Sequence, residues 1–424
     1  MIMMDKIIKE IEYKIKGSEV DERTVIGTDI EFIRHLKKNG GDTMKKCFQC
    51  ATCSVACELT PKEYSFPRKE MINAGWGLKD KLMADPDLWL CHGCMDCSQM
   101  CPRGAKPADL MGAVRSYIYK NFSKPKFMGK LLSESKYLFI LFLIPVIFIA
   151  GLVLITNVIA HGGDMTLFIV REGVVKYEDF IHKLTIEALF IPGNILIFFL
   201  AGMGLMGYWK EMKNNHTGKP VKSFIKSAWE VLWNFLAHRK FEKCPTNSNR
   251  HYGHLYAFYG FIGTMIATGL VVVGEVYHYG HKFNLDFLTA ISFYLPYPMG
   301  LMHPVKILGL VSGVFLVLGL LIMFIKRTKQ IEREGKNTYN DWLFLSVILG
   351  VGITGMLSVF IRMSVDANTV WLAYTNYFIH LVLVFFLLWY MPFSKFAHMP
   401  YRFLGLTFLK MYGREHKQEF FNRN

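Results

Sequence analysis

Six apolar runs, each about 20 residues long, dominate the sequence after Tyr137. A bilayer interior offers no hydrogen-bond partner to the backbone, so a run of this length that crosses it must be helical. The predicted spans are residues 137–160, 184–208, 253–277, 303–325, 342–361 and 371–391. The sequence therefore predicts a mainly α protein that ends in a six-helix transmembrane bundle.

The basic residues predict how this bundle is oriented. The formal net charge is +15, and much of the excess lies in loops between apolar runs, which favours a membrane over nucleic acid as the partner. The loop after the second span carries most of it: Lys210, Lys213, Lys219, Lys222, Lys226, Arg239, Lys240, Lys243 and Arg250. We expect a multi-pass protein of the inner membrane with both termini in the cytoplasm.

The composition changes near residue 130, and this change predicts the domain boundaries. Residues 1–130 are charged and mixed, and we expect a helical cytoplasmic domain there. Residues 131–400 form the transmembrane domain, and residues 401–424 form a cytoplasmic tail. The run SFIKSAWEVLWNFLAHRKF alternates aromatic and basic residues, and we expect it to lie along the membrane interface.

Eight of the nine cysteines fall in two runs with the same spacing, C-x-x-C-x-x-C-x-x-x-C. The first is Cys47, Cys50, Cys53 and Cys57, and the second is Cys91, Cys94, Cys97 and Cys101. This spacing is typical of [4Fe–4S] ligation, and cytoplasmic thiols seldom form disulfides. Structural zinc is the alternative, although zinc sites favour pairs of cysteines. The ninth, Cys244, is isolated.

In two-cluster ferredoxins the fourth cysteine of each run ligates the other cluster. We therefore expect one [4Fe–4S] cluster on Cys47, Cys50, Cys53 and Cys101. The other is expected on Cys91, Cys94, Cys97 and Cys57. The segment between the runs predicts helices, with Pro67 at a helix start and Gly75 and Gly77 at a helix end.

Residues 30–120 resemble the small iron–sulfur subunit of heterodisulfide reductases. The resemblance includes Pro67, Arg68 and Lys69 after the first run and Trp89 before the second. The chain has no adjacent-cysteine CCG motif, which carries the disulfide chemistry of those enzymes. The resemblance therefore implies a domain that relays electrons and does not itself reduce a disulfide.

Histidines at membrane depth are the candidate ligands of b haem. His254 begins the third span and His398 follows the sixth, so we expect both at the cytoplasmic side, holding an inner haem. His380 lies 18 residues before His398. In one continuous helix that distance is five turns, or about 27 Å, on the same face. For each histidine the alternative is an interfacial anchor or a hydrogen-bonded core imidazole.

The spans and the last histidines resemble the cytochrome b subunits of membrane-bound nitrate reductase and of heterodisulfide reductase. In the nitrate reductase cytochrome a second ligand follows ten residues after the one matched by His254. Thr264 occupies that place and cannot ligate iron. We therefore expect His380 to share an outer haem with His303, with His278 as the second choice.

The fusion of these two modules resembles the C subunits of quinone-interacting membrane-bound oxidoreductase complexes. That resemblance implies oxidation of menaquinol and transfer through about two b haems and two clusters to flavin- and iron–sulfur-containing partner subunits, and indirectly to adenylylsulfate reductase. The alternatives are the anchor of another heterodisulfide reductase-like or sulfite-linked complex, and a non-redox membrane anchor with zinc-bound cysteines.

Overall fold

The structure is a computed structural model that describes residues 27–61, 63–162, 170–171, 174–237, 248–284, 286–290, 292–295, 300, 302–329, 338–364 and 369–414. Cys244 and both ends of the chain lie outside these ranges. The described residues are mainly helical, as predicted, and contain one short two-stranded hairpin.

The N-terminal part, which we call the cluster domain, consists of short helices around the two cysteine runs. The α-helices are α1 (Ile30–Leu36), α2 (Thr52–Ala56), α3 (Arg68–Gly75), α4 (Lys79–Met83), α5 (Asp96–Gln99), α6 (Pro107–Phe122) and α7 (Lys126–Leu132). Shorter helical turns span Lys37–Gly41, Met44–Lys46, Pro86–Leu90 and Ser135–Tyr137. The predicted helix start at Pro67 is confirmed, because Pro67 is the N-cap of α3.

Six of the described helices are long and apolar enough to cross a membrane, and they match the six predicted spans. They are α8 (Leu138–His161), α9 (Lys183–Asn214), α11 (Ser248–Lys282), α13 (Pro304–Lys329), α14 (Tyr339–Ser364) and α15 (Val370–Trp389). The remaining elements are β1 (Val170–Arg171), antiparallel to β2 (Val174–Val175), a turn at Tyr177–Asp179, α10 (Phe224–Leu236) and α12 (Asp286–Ala290).

The prediction of one continuous helix from His380 to His398 is wrong. Helix α15 ends at Trp389, two short turns follow at Met391–Phe393 and Lys395–Ala397, and a new helix, α16 (His398–Met411), begins at His398. Pro392 lies in the first of these turns, and proline disrupts a helix because its nitrogen has no hydrogen to donate. The five-turn, same-face relation of His380 to His398 therefore does not hold.

Helix α16 packs against the cluster domain and connects it to the bundle. Trp89 is fully buried, donates from Nε1 to the hydroxyl of Tyr208 at 2.7 Å, and stacks on Tyr401 with a centroid distance of 6.2 Å. Gly405 permits this approach, because a Cβ there would overlap the indole ring of Trp89. We call this end of the bundle the cluster side and the opposite end the far side.

Helix α10 (Phe224–Leu236) forms most of the segment predicted to lie along the membrane interface, whose residues 238–241 lie outside the described ranges. The Ser223 side chain accepts a hydrogen bond from the Lys226 backbone N–H and begins the helix. One face packs on α16, and Glu230 pairs with Lys222 and Lys410 at 3.3 Å. The opposite face exposes Ile225, Trp229 and Trp233, spaced four residues apart. An exposed apolar stripe of this kind suits a membrane surface, which stays a prediction.

Candidate functional site

The two cysteine runs fold into loops with the same backbone pattern. The second residue after the first cysteine has positive φ in both loops, 62° at Gln49 and 67° at Gly93. The fourth residue also has positive φ, 68° at Ala51 and 72° at Met95. Non-glycine residues seldom adopt this conformation, and it marks strain held at functional sites. A repeated strained loop around three cysteines is consistent with one kind of metal centre built twice.

The structure brings the eight cysteines together in two sets of four. Cys47, Cys50, Cys53 and Cys101 line what we call the first cysteine cavity. Cys57, Cys91, Cys94 and Cys97 line the second cysteine cavity. Each set combines three cysteines of one run with the fourth cysteine of the other, which is the grouping that the crossed ligation pattern requires.

Burial controls the ionisation of several of these thiols. It raises the pKa of Cys53 to about 11 and that of Cys57 to about 12, and it also raises the pKa of Cys97. Neighbouring cysteines of the same set add to each shift, since a second thiolate repels the first. Such thiols ionise readily only when a cation binds to them, as iron would.

The two cysteine cavities differ in their charged neighbours. Arg68 and Arg103 line the first, and the Arg103 guanidinium lies 4.0 Å above the ring of Phe48. Glu58 and Asp96 line the second, together with His92. Positive groups favour a reduced, more negative cluster and carboxylates oppose it, so the two sets of cysteines provide different electrostatic environments.

Lys69, beside Arg68, lies at the centre of a buried charge network. Its ammonium group is 2.7 Å from both Asp85 and Asp87 and 3.3 Å from Glu70, while Arg414 also pairs with Asp87. Three carboxylates face two cations, and burial raises the pKa of Glu70 well above its usual range. These charges stabilise the junction of α3, the Pro86–Leu90 turn and the end of α16.

A larger cavity of about 270 Å³ lies at the cluster side of the bundle, and we call it the histidine cavity. His254 of α11 and His398 of α16 both line it, so the structure brings together the two histidines predicted to share a site. The rest of the lining is largely apolar, including Phe258, Phe261 and Phe344. Its cationic residues are Lys326, Arg327, Lys395 and Arg402.

The ring of His398 is oriented for ligation. Its Nδ1 lies 2.6 Å from the Lys395 carbonyl oxygen, which can only accept a hydrogen bond, so Nδ1 carries the proton. Burial lowers the pKa of His398 to about 4, which keeps the imidazole neutral near pH 7. The lone pair is therefore on Nε2, as a metal-ligating histidine requires.

These features fit a b haem. The imidazoles of His254 and His398, from separate helices, would hold the iron, the apolar lining would suit the ring, and Lys326 and Arg402 could pair with its carboxylates. Arg327 and Lys395 already pair with Asp341, which fixes their position at the cavity.

His380 lies in the middle of α15 and has a different environment. Its Nδ1 is 2.9 Å from the Thr354 hydroxyl, and that hydroxyl donates to the Gly350 carbonyl at 2.6 Å. In that arrangement the hydroxyl accepts from His380 Nδ1, and the lone pair of the ring is on Nε2. Gly355 allows the ring close to α14, since a Cβ there would lie 3.0 Å from His380 Cε1.

Among the described residues, no hydrogen bond or ring contact joins His303 to His380. His303 immediately precedes α13 at the far side, and its Nδ1 accepts a hydrogen bond from the Val305 backbone N–H at 3.3 Å. His380 is ten residues inside α15, about 15 Å along the helix axis. An accepting Nδ1 puts the proton of a neutral ring on Nε2, so this cap must break before His303 can ligate iron. The pairing stays a prediction.

Sequence reasoning missed His92 and Arg402, which line the histidine cavity beside the predicted ligands. Arg402 Nη2 lies 2.9 Å from His92 Nδ1. These residues are 310 positions apart, and the packing of α16 on the cluster domain brings them together. The sequence did offer one indication that Arg402 lines this cavity: Arg402 follows the predicted ligand His398 by four residues, which is one helical turn.

Two family models match the chain. Residues 43–105 match a 4Fe-4S dicluster domain, which accounts for both cysteine runs. Residues 190–419, about half of the chain, match the family described as Citrate utilization protein B. That second match begins within α9 and includes every lining residue of the histidine cavity except His92.

The curated relatives resemble the cluster domain. The C subunit of the H(2):CoB-CoM heterodisulfide,ferredoxin reductase of Methanothermobacter marburgensis is 38% identical over 88 residues, which is 21% of this chain and 48% of that protein. A protein of Archaeoglobus profundus, described as like the C subunit of heterodisulfide reductase, is 28% identical over 124 residues, which is 29% of this chain and 64% of that protein. The chain thus spans about half to two thirds of the length of these relatives. No solved structure matches.

Proposed function

The chain belongs to the citrate utilization protein B family, and from that membership and the site geometry we propose that it is the membrane subunit of an electron-transfer complex. It oxidises menaquinol and passes electrons through b haem and two [4Fe–4S] clusters to flavin- and iron–sulfur-containing subunits. In this it acts like the C subunit of a quinone-interacting membrane-bound oxidoreductase, with adenylylsulfate reductase as the indirect acceptor. The iron–sulfur domain and both termini lie on the cytoplasmic side.

The observation that carries the proposal is the position of the histidine cavity directly beside the second cysteine cavity. The two share His92 as a lining residue. A membrane anchor without redox activity has no need of two imidazoles in a cationic cavity next to four cysteines. An electron relay needs these sites to be close together.

The proposed ligands of the clusters are the two sets of four cysteines, and the proposed ligands of the haems are histidines. Cys47, Cys50, Cys53 and Cys101 hold one cluster, and Cys57, Cys91, Cys94 and Cys97 hold the other. His254 and His398 hold the inner haem, with Lys395 orienting His398. His380, oriented by Thr354, is the ligand of an outer haem, and His303 is its less well supported partner.

These centres supply single-electron carriers between a quinol, which releases two electrons, and a flavin, which can accept two. The chain's own residues keep the thiols buried, orient the imidazoles and place cations at the cavity. We assign the flavin to partner subunits, because the sequence contains no glycine-rich nucleotide-binding fingerprint.

Purification of the intact complex tests the proposal. We expect flavoprotein subunits to co-purify, and a menaquinol analogue to reduce the haem and then the clusters of the anaerobic complex. A preparation that contains both centres but is not reduced by quinol, and is not oxidised by quinone, would contradict the assigned function.

The name of the family favours a second candidate, in which the same relay serves citrate utilization. The soluble partner would then act in that process and not in sulfate respiration. The identity of the co-purifying subunits distinguishes the two candidates, because adenylylsulfate reductase activity supports only the first.

A further inference from the structure

The histidine cavity and the second cysteine cavity meet at His92. This residue lies in the second cysteine run, between Cys91 and Cys94, and it lines both cavities. The backbone next to it is fixed by Arg115 of α6, which donates to the Cys91 carbonyl oxygen at 2.8 Å. The backbone that carries His92 is therefore held between the two sites.

Arg402 completes the connection from the membrane side. It lies one turn after His398 on α16 and lines the histidine cavity. Its guanidinium Nη2 is 2.9 Å from Nδ1 and 3.2 Å from Nε2 of His92. One hydrogen-bonded pair thus joins the helix that carries a predicted haem ligand to the loop that carries cluster ligands.

The first cysteine cavity is placed differently. Its lining shares no residue with the histidine cavity. Cys50 is exposed at this cavity, and the ring of Phe48 is 67% exposed. This set of cysteines therefore faces the outside of the described cluster domain, while the second set faces the bundle.

We propose an order for the relay, resting on the proposed function: a cluster held by Cys57, Cys91, Cys94 and Cys97 would exchange electrons with a haem held in the histidine cavity, across His92 and Arg402. A cluster held by Cys47, Cys50, Cys53 and Cys101 would then exchange electrons with the soluble partner. Each step moves one electron, so that one centre is oxidised as the next is reduced. No bond forms or breaks.

The charges around the two cysteine cavities agree with this order. Arg68 and Arg103 at the first cavity stabilise a reduced cluster, whereas Glu58 and Asp96 at the second oppose reduction. Electrons that leave the membrane would therefore move toward the more favourable centre. Arg402 offsets the carboxylates on the side where the electron enters.

Two matched substitutions test the order through the reduction potentials of the centres, without an activity assay. Arg402→Gln removes a positive charge beside the second cysteine cavity and the histidine cavity. Arg103→Gln makes the same change beside the first. Potentials would be measured on the intact complex, the haem by its visible absorption and the clusters by electron paramagnetic resonance.

We expect Arg402→Gln to lower the potentials of the inner haem and of one cluster together. The expected size is roughly a tenfold change in each reduction equilibrium, about 59 mV for a one-electron couple. Arg103→Gln should lower the potential of the other cluster alone. Arg402→Lys keeps the charge and should stay near the wild-type potentials, which separates an electrostatic effect from misfolding.

The order is overturned if Arg402→Gln and Arg103→Gln move the same cluster, or if Arg402→Gln moves the haem and neither cluster. These failures differ from failure of the proposed function. Wild-type complex without b haem, or without two clusters, would contradict the function itself before any variant is compared.

Discussion

The histidines at the cluster side of the membrane bundle have different surroundings from the histidines elsewhere in it. At the cluster side, His254 and His398 line one cavity with four cationic side chains, and this cavity shares His92 with the second cysteine cavity. Away from that side, His380 is hydrogen-bonded to Thr354 and packs on Gly355, while His303 caps the start of α13. Among the described residues, the histidines of the cluster side are therefore accompanied by a second imidazole and by space for a cofactor, which supports the inner haem site more directly than the outer one.

Replacing His398 tests the cluster side with the largest expected effect. His398→Ala should abolish binding of the inner haem, because one imidazole cannot hold a six-coordinate low-spin iron. Haem per chain and the low-spin spectrum of the purified protein measure this. His182→Ala, at an exposed far-side position, is the matched control and should retain the full haem content.

Replacing His380 tests whether the middle of the bundle also binds haem. His380→Ala should remove the second haem and leave the one held by His254 and His398, since the two sites share no described ligand. His303→Ala should give the same loss if His303 is the partner. An unchanged low-spin spectrum in the His303 variant would restrict that residue to capping α13.

Replacing Lys69 tests whether the stability of the cluster side depends on its buried charges. Lys69→Met leaves the carboxylates of Glu70, Asp85 and Asp87 with less compensation, and we expect a loss of about 3–5 kcal/mol in stability. The urea concentration at which cluster absorbance disappears measures it. Lys79→Met removes the more exposed pair with Asp29 and should cost at most about 1 kcal/mol. Equal losses in both variants would contradict the role of burial.

Gly405 tests the contact between the cluster domain and α16. Gly405→Ala places a Cβ against Trp89, and we expect a destabilisation of about 1–3 kcal/mol from overpacking. Gly112→Ala is the matched control, because a Cβ there meets nothing within 4 Å. The urea concentration at which cluster absorbance disappears measures the stability of both variants. If the Gly405 variant is as stable as the Gly112 variant, the Trp89 side chain moves to accommodate the added Cβ at little cost in stability, and the tight contact is not required.

Much of the fold could be predicted because its signals are local. The apolar runs predicted the bounds of the six long helices to within a few residues. The exceptions are α9 and α11, which extend beyond the predicted spans. The cysteine spacing predicted two sets of four, and the same two sets line the two cysteine cavities, while their ligation of clusters stays a prediction. The break after Trp389 was also visible in the sequence, since Pro392 follows it.

The remaining features depend on contacts between residues far apart in the chain. Arg402 meets His92, and Trp89 meets Tyr208 and Gly405, only because α16 folds back onto the cluster domain. Neither charge nor spacing along the sequence indicates such a return. The protonated nitrogen of His398 likewise depends on the Lys395 carbonyl, a backbone group that every residue carries.

The most direct test of the relay is the cofactor content of the intact, anaerobically purified chain. Two [4Fe–4S] clusters predict about eight non-haem irons and eight sulfides per chain. The histidine cavity predicts, in addition, b haem with a low-spin spectrum. Stoichiometric zinc without visible absorption would instead identify a structural anchor, and would contradict both the clusters and the haem.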